Sequence, residues 1–598
     1  MRKPHLLQSN KGQEIPEEFI FFDVETFPIE ISEEEVEHKF RLGVALYWRN
    51  RKGECQDTLE WLKFSDPNQF WDWIIEKNLA KRRLVLMAHN IEFDMKVLKG
   101  FEALKLRGYK LVKLISEHFV NIWKFRQNKK AILFLDTMNF FNLPLKRLGQ
   151  DIGLEKLKMP DYQDSDENWF VYCQRDVEII YQAMKTWLDF IKENNLGCFS
   201  PTLASQSFNA FRHRFNKFDI YIHNRKQVID LERESYHGGR TECFFIGKLP
   251  EENYFNLDVN SMYSAVMRQN LYPTKLKAHL KLVSLPVLKR LLNDYCVIAR
   301  VKLEAKEPGF PHSYIDKLCF PIGQFETVLT SRELSYALSQ GYVKECREAA
   351  VYEKAPLFID YVNFFYQKRI SYLENANFSF AFISKILLNS LYGKWGQRNE
   401  VFKIVAEETD FPDGCFEEWD LDTGEIIKYR AINGTLEKSI GKVEAFHSFP
   451  AIAAHITADA RFLLWNYIKI AGRENVFYCD TDSLFVNARG LEHLKPYLSN
   501  SEMGKLKLKD STRDLEIWGL KDYRFGQQVK MKGIRPDAEK IADNKFKQWQ
   551  WEGLRGSLKK ARLNQMVLKK ITKVLWRDYF KGQILASGIV QPFNLQLL

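Results

Sequence analysis

Tyr478-Cys479-Asp480-Thr481-Asp482-Ser483 is the stretch on which the reading of this chain turns. Val476-Phe477 precede it and Leu484-Phe485-Val486 follow, so the pattern predicts two short apolar strands joined by a tight turn with both aspartates at its tip. Carboxylates this close repel each other unless a cation lies between them, and oxygen ligands suit a hard divalent ion such as Mg²⁺. Upstream, Tyr254-Phe255-Asn256-Leu257-Asp258 reads as a strand that ends on another acid. Asp258 and Asp482 are the best bridging pair for two ions about 4 Å apart, an arrangement that aligns attacking and leaving oxygens in phosphoryl transfer. Asp480 is a nearby, more peripheral ligand.

Between these two segments lies Lys385-Ile386-Leu387-Leu388-Asn389-Ser390-Leu391-Tyr392-Gly393. Lys385, Asn389 and Tyr392 recur at i, i+4 and i+7 and share one helical face, with Lys368 and Arg369 adding positive charge further back. Such a face can neutralise the phosphates of a nucleotide. A second group of acids lies near the N-terminus. Asp23-Val24-Glu25 is expected to follow the strand Phe19-Ile20-Phe21-Phe22, with both acids on one side. Asn90-Ile91-Glu92-Phe93-Asp94 follows a further apolar run, and Tyr172 and Asp176 stand one turn apart on an amphipathic helix from Asn168 to about Asn194. Asp23, Glu25, Asp94 and Asp176 can hold two metal ions for phosphodiester hydrolysis, and Tyr172 can orient the water. Glu92 reads as a solvated charge.

The 598-residue length allows several domains and a large core. A net charge of +11 with 14% aromatic residues suits a partner offering phosphates and bases. The stretch from Lys545 to Lys581 concentrates this character, with basic residues far outnumbering Glu552 and Asp578, and Trp549, Trp551 and Trp576 interleaved. It suits a duplex backbone; the alternative is a solvated helical face. The cysteines are scattered without a CxxC pair, which argues against structural zinc or disulfides and for a reducing compartment. Neither a signal peptide nor an apolar run of membrane-spanning length is evident, so a cytoplasmic protein without a membrane partner is expected.

DVNSMYS (258–264), KILLNSLYG (385–393) and YCDTDS (478–483) resemble, in order, motifs A, B and C of family B DNA-dependent DNA polymerases. The resemblance implies an α/β and α+β multidomain chain: an RNase H-like 3′–5′ exonuclease domain, then a right-hand palm, fingers and thumb. It places Tyr263 under the nucleotide sugar, where its ring would crowd a 2′-hydroxyl and select dNTPs. Thr457-Ala458-Asp459-Ala460-Arg461 resembles a segment touching the primer terminus, Lys521-Asp522-Tyr523 the KxY motif, and Lys530-Met531-Lys532 the basic entry to the thumb. Tyr236-His237-Gly238-Gly239 resembles the YxGG element that binds template. The N-terminal acids resemble the family's proofreading exonuclease, in which Asn90, Phe93 and Thr137 would contact single-stranded DNA and Lys158 would be the additional nuclease lysine.

The expected organisation is exonuclease 1–195, linker and palm 196–355 with a first insertion at about 275–350, and fingers 356–395. A hairpin-rich second insertion at 396–447, with a turn at 422–425, precedes palm 448–525 and thumb 526–598. This compactness resembles the protein-primed subgroup of phages and mobile elements, where the first insertion contacts a terminal protein and the second encircles DNA for processive strand displacement. Expected partners are therefore template and primer DNA and a terminal priming protein, with a monomeric enzyme using two Mg²⁺ or Mn²⁺ ions per site and dNTP substrates. Alternatives are a primer-independent or DNA-primed replicase and a catalytically silent DNA-binding scaffold.

Overall fold

The computed structural model describes residues 2–50, 57–117, 120–421 and 424–596. Its N-terminal body is built on the strand Glu18–Ser32. That strand pairs antiparallel with Glu35–Arg49 on one side and parallel with Arg83–Ala88 on the other, and Lys130–Asp136 continues the parallel order. Phe19, Ile20, Phe21 and Phe22 are all fully buried, because helices and loops cover both sheet faces; this is why the sequence there is a continuous apolar run rather than an alternation. The 28-residue helix Asp166–Glu193 turns Trp169, Cys173, Ile180 and Trp187 inward. Asp23 and Glu25 lie inside the long strand, not after it, since pairing with Glu35–Arg49 carries it on to Ser32. Alternation still gives them one face.

The C-terminal basic stretch is not a helical face. Lys545–Trp551 and Met566–Val574 are strands, and the second pairs with Glu35–Arg49 in the register Glu35↔Lys569 and His38↔Met566. With Glu539–Ala542 they extend the N-terminal sheet to ten strands, so the boundaries expected at 195 and 526 separate pieces of one sheet. Part of the basic charge is used internally: Lys569 lies 3.2 Å from Glu35 and 3.0 Å from Glu552.

The middle of the chain forms an antiparallel sheet in the order Thr241–Cys243, Val476–Asp480, Ser483–Asn487, Tyr254–Val259, Leu506–Thr512. Its inner residues Leu257, Val259, Cys479, Leu484 and Val486 share a core with Ile456, Ala460 and Leu464 of the helix Pro450–Ala471. The helical block at 355–394 is two helices, Ile359–Glu374 and Phe378–Trp395. The break falls at Asn375-Ala376-Asn377, where Ala376 adopts φ 55° and the Asn377 side chain caps the second helix by accepting from the Phe380 N–H.

The segments expected as insertions both fold into sheets, the first as the middle of a seven-stranded sheet that also takes in His5–Leu6, Tyr221–Ile222 and Asn594–Leu595. Tyr272–Val283, Cys296–Ala305, Ile322–Thr330 and Val343–Ala355 form antiparallel strands with two helices and a separate core around Leu288, Val301 and Leu334. Arg398–Ala406, Gly414–Trp419, Ile426–Ile432 and Thr435–Glu444 form a four-stranded antiparallel sheet. Of the turn expected at 422–425, Asp422 and Thr423 lie outside the described residues. Among the described residues no helix is long and apolar enough to cross a membrane.

Candidate active sites

The strands Val476–Asp480 and Ser483–Asn487 meet at the expected turn, closed by the pair Asp480↔Ser483. Thr481 takes φ 63°, and three main-chain bonds staple the tip: Thr481 N–H to Arg240 O, Asp482 N–H to Asp480 O, and Val259 N–H to Asp482 O, each 2.7 Å. The neighbouring strand sets Asp258 opposite Ser483, one residue from Asp482, so that the Asp258 charge bears on the Asp482 carboxyl. Burial first, and then the Asp258 charge, push the Asp482 carboxyl up to about 6, while Lys509 and Lys385 act against them. Asp480 faces other partners, with Thr241 Oγ1 at 3.4 Å and Lys521 Nζ at 3.7 Å.

Lys385 is exposed at the rim and Asn389 half-buried on the same helix face. Tyr392, from that face, stacks on Tyr263 with ring centroids 4.6 Å apart and planes 8° from parallel. Arg369 donates to Ser261 Oγ at 2.9 Å, tying the preceding helix to the Asp258 segment, whereas the Lys368 ammonium lies 5.8 Å from the Phe364 ring. Gly239 closes the rear of the site. A Cβ there would meet Thr481 Cγ2 at 2.8 Å and Tyr263 Oη at 3.2 Å. Thr481 stands between the two aspartates and cannot retreat without moving them. Gly239→Ala is therefore expected to lower any metal-dependent activity of this site by about 10²-fold with little change in melting temperature; wild-type turnover in the variant would contradict the required close approach.

Several expected nucleic-acid contacts have other work. Thr457 and Arg461 are each 2% exposed. Arg461 donates to the carbonyls of His237 and Gly238 and pairs with buried Glu333 at 2.9 Å, so it fixes the 236–239 turn from beneath rather than offering surface. Thr137 is buried, donating to Ala88 O at 3.1 Å, and Tyr523 packs between Tyr478 and Phe485. Each occupies an interior position that its motif does not reveal. Gly238, Lys521, Lys530 and Lys532 are exposed, and Tyr236 is half-buried. Lys509 was not anticipated: its Nζ lies 2.8 Å from Asp258 Oδ2. The alternation Lys505-Leu506-Lys507-Leu508-Lys509 was the available signal, a basic-faced strand beside the acid strand.

The N-terminal acids also converge. Asp23 and Glu25 carry ligand oxygens within 4.8 Å of each other and of Cys173 Sγ. Burial and the Asp176 charge push Asp23 up to about 7; burial, Asp23 and Asp176 push Glu25 up to about 9. Asp94 is raised well above the carboxylate range by burial and by Asp23, and Asp176 is raised by burial. Buried acids that repel one another in this way, with Asp176 Oδ1 lacking a hydrogen-bond partner among the described residues, fit a divalent cation. Tyr172 lies beside them, 7% exposed.

The lysine beside these acids differs from the expectation. Lys156, not the exposed Lys158, bonds Asp176 Oδ2 and lies 4.3 Å from the centre of the Tyr172 ring. Glu92 is not a solvated charge, because it pairs at 2.7 Å with Lys96, which is fully buried and also donates to Glu552 O and Ser557 Oγ. Asn90 is exposed in a left-handed conformation at φ 74°, its N–H held by Asp136 Oδ1. Phe93 meets His38 and Trp551 edge-on.

Comparison with known proteins agrees with this arrangement. Residues 153–436 match the family model for DNA polymerase type B, organellar and viral. A probable DNA polymerase of Neurospora intermedia is 25% identical over 437 residues, 67% of this chain and 43% of that protein. The DNA-directed DNA polymerase of Enterobacteria phage PRD1 is 24% identical over 333 residues, 54% of each chain. The chain thus spans about half or less of the length of these curated relatives. Among solved structures, Phi29 DNA polymerase complexed with primer-template DNA and incoming nucleotides superposes with a TM-score of 0.66 at 16% identity, covering 94% of this chain and 100% of that one. The resemblance to family B polymerases, and the exonuclease plus palm, fingers and thumb fold, are both borne out.

Proposed function

We propose that this chain, similar to the type B DNA polymerases of viruses and organelles, adds deoxynucleotides to a primer 3′-hydroxyl under template direction and trims primer ends at its N-terminal acid cluster. One observation carries the reading: the Asp482 carboxyl feels the charges of Asp258 and of the exposed Lys385, and its own charge bears on Tyr263 in the Tyr263–Tyr392 stack. Asp258 and Asp482, with Asp480 at the edge, would hold two Mg²⁺ or Mn²⁺ ions that activate the 3′-hydroxyl and neutralise the triphosphate. Asp23, Glu25, Asp94 and Asp176 would hold the corresponding pair for hydrolysis. Lys385 supplies positive charge to the incoming phosphates, and Arg369 holds the Ser261 turn in place. Tyr172 and Lys156 border the N-terminal acids, where the phenol can orient the attacking water. The two inserted sheets favour protein-primed, strand-displacing synthesis, the first body receiving a terminal protein and the second closing around DNA.

The test is a labelled primer on template with dNTPs and Mg²⁺, run beside the same primer without dNTPs. Extension in the first arm and shortening in the second are expected; a protein that extends nothing is no polymerase. Omitting the primer, or supplying a nicked duplex, distinguishes priming modes and strand displacement. Tyr263→Val removes the stacked ring and is expected to raise ribonucleotide incorporation about 10- to 100-fold relative to deoxyribonucleotide. Unchanged discrimination in competitive incorporation would remove Tyr263 from sugar selection.

A further inference from the structure

The strand Thr241–Cys243 is the outermost of the five-stranded sheet, and it borders the hairpin that carries Asp480 and Asp482. Its register sets Thr241 opposite Asp480 and Cys243 opposite Tyr478. The Arg240 carbonyl receives the Thr481 N–H, and Thr241 Oγ1 lies 3.4 Å from Asp480 Oδ1. A shift of this strand therefore reaches the turn directly. A strand at a sheet edge has bare N–H and C=O groups on its outer side, and buried ones are costly to leave unpaired. Cys243 is buried, so its outer N–H needs a partner.

Two side chains from a distant part of the sequence take the place of a further strand. Tyr579 Oη accepts from the Cys243 N–H at 3.1 Å, and Lys581 Nζ donates to Thr241 O at 2.8 Å. They belong to an extended run in which Arg577, Tyr579 and Lys581 turn inward while Trp576, Asp578 and Phe580 are exposed. Arg577 pairs at 3.1 Å with buried Asp522, next to Lys521, the cation 3.7 Å from Asp480. Further along, the Ile246 N–H bonds Gly588 O and the Val590 N–H bonds Phe244 O, so the chain stays fixed to this edge. The other end of the strand is held by Arg240, whose guanidinium lies between the Phe320 and Trp465 rings, 4.0 and 4.7 Å from their centres. We propose that Tyr579 and Lys581 are positioning residues for nucleotide addition: they hold the outer edge of Thr241–Cys243, so that Arg240 and Thr241 keep the turn of Asp480 and Asp482 in its reactive geometry. Neither side chain touches a reacting atom. The effect on rate rests on the nucleotide-addition reading; the mechanical link does not.

The test compares wild type with Tyr579→Phe, Lys581→Met and Lys581→Arg in the full chain. Amide hydrogen exchange over 476–483 in the metal-free protein reads the link without catalysis. It is expected to be about tenfold faster in Tyr579→Phe and Lys581→Met, and unchanged over Glu18–Ser32. Single-turnover extension at saturating dNTP is expected to fall about tenfold in the same two variants, as for lost outer partners of a site's acids. The dNTP concentration for half-maximal rate and the rate of primer shortening should not change. Lys581→Arg keeps a donor for Thr241 O and is expected to match wild type within about twofold in both measurements. Wild-type exchange or wild-type extension in both Tyr579→Phe and Lys581→Met overturns the inference. Equal losses of extension and shortening also overturn it, since they mark a general loosening. So does a loss confined to primer-template affinity, which makes Lys581 a DNA contact. Should Lys581→Met not fold, Tyr579→Phe, which removes one oxygen, carries the test. If wild type extends nothing, the nucleotide-addition reading falls, and faster exchange in Tyr579→Phe still upholds the link. Wild-type extension with unaltered exchange in the variants does the reverse.

Discussion

Asp482→Asn is expected to lower nucleotide addition by at least about 10³-fold while primer shortening continues at the wild-type rate. Losing one preorganised donor to a developing charge already costs 10² to 10³ in rate, and a bridging carboxylate serves two ions at once. The structure makes Asp482 the more sensitive of the two hairpin acids. Its carboxyl is pushed up to about 6 by burial and by Asp258, a penalty that a dication relieves, whereas Asp480 already faces Thr241 and Lys521. Asp480→Asn should accordingly cost less, by about an order of magnitude. The substitution keeps side-chain volume, and the main-chain bonds at Thr481, Asp482 and Val259 hold the turn independently of the side chain, so the fold is expected to survive. The measurement is single-turnover extension of a labelled primer, with shortening followed on the same DNA. Equal losses in Asp480→Asn and Asp482→Asn would mean that the two acids share the load. Loss of shortening in Asp482→Asn would mean that the two sites are not separate.

Lys509 sharpens this contrast. It pairs with Asp258 at 2.8 Å from the strand on the other side of Tyr254–Val259, and is half exposed, with 50% of its side chain accessible. Any cation drawn to Asp258 and Asp482 competes with this ammonium for Asp258. Lys509→Ala is therefore expected to lower the Mg²⁺ concentration needed for half-maximal extension, by about twofold, since an exposed pair is worth less than about 1 kcal/mol. An increased Mg²⁺ requirement would instead assign Lys509 to substrate binding.

The site was legible in the sequence where local rules act alone. A hairpin with polar residues at its tip, a helix with Lys385, Asn389 and Tyr392 on one face, and the order of the acids all follow from periods of 2.0 and 3.6. What the sequence hid depends on pairing between distant segments. Nothing near Lys569 says that its strand adds to Glu35–Arg49, more than five hundred residues away; its basic residues read equally well as solvated or as DNA-binding. Lys156 and Lys158 both lie on the approach to the helix, and only the packing decides which reaches Asp176. Arg461 shows the opposite error. A family motif marks it as important, but its guanidinium is spent on Glu333 and on the 236–239 turn, so its importance is mechanical. Cys173 looked like one of several scattered thiols because its approach to Asp23, across a helix and a strand, has no linear signature.

The combined variant Asp23→Asn/Glu25→Gln is expected to abolish primer shortening, by at least about 10³-fold, while making the metal-free protein more stable at pH 8. Both effects come from the same electrostatics. In the folded chain burial and neighbouring charge raise Asp23 to about 7 and Glu25 to about 9; unfolded, both fall near 4. Below about pH 4 both states are protonated and the groups cost nothing. As pH rises from there through the folded values, the folded protein retains protons that the unfolded chain has released, so stability falls and the whole penalty is present once both groups are ionised. Neutral amides remove that penalty. Because about 1 kcal/mol moves the melting temperature of a domain of 150–250 residues by about 2–4 °C, a rise of several degrees at pH 8 in chelator is expected, shrinking to nothing near pH 4. Mg²⁺ should reverse the order, raising the melting temperature of wild type and leaving the variant unmoved. Scanning calorimetry at both pH values, with and without Mg²⁺, reads all of this without an activity assay. A variant that is less stable than wild type in chelator at pH 8 would show that Asp23 and Glu25 hold structure together rather than waiting on a cation.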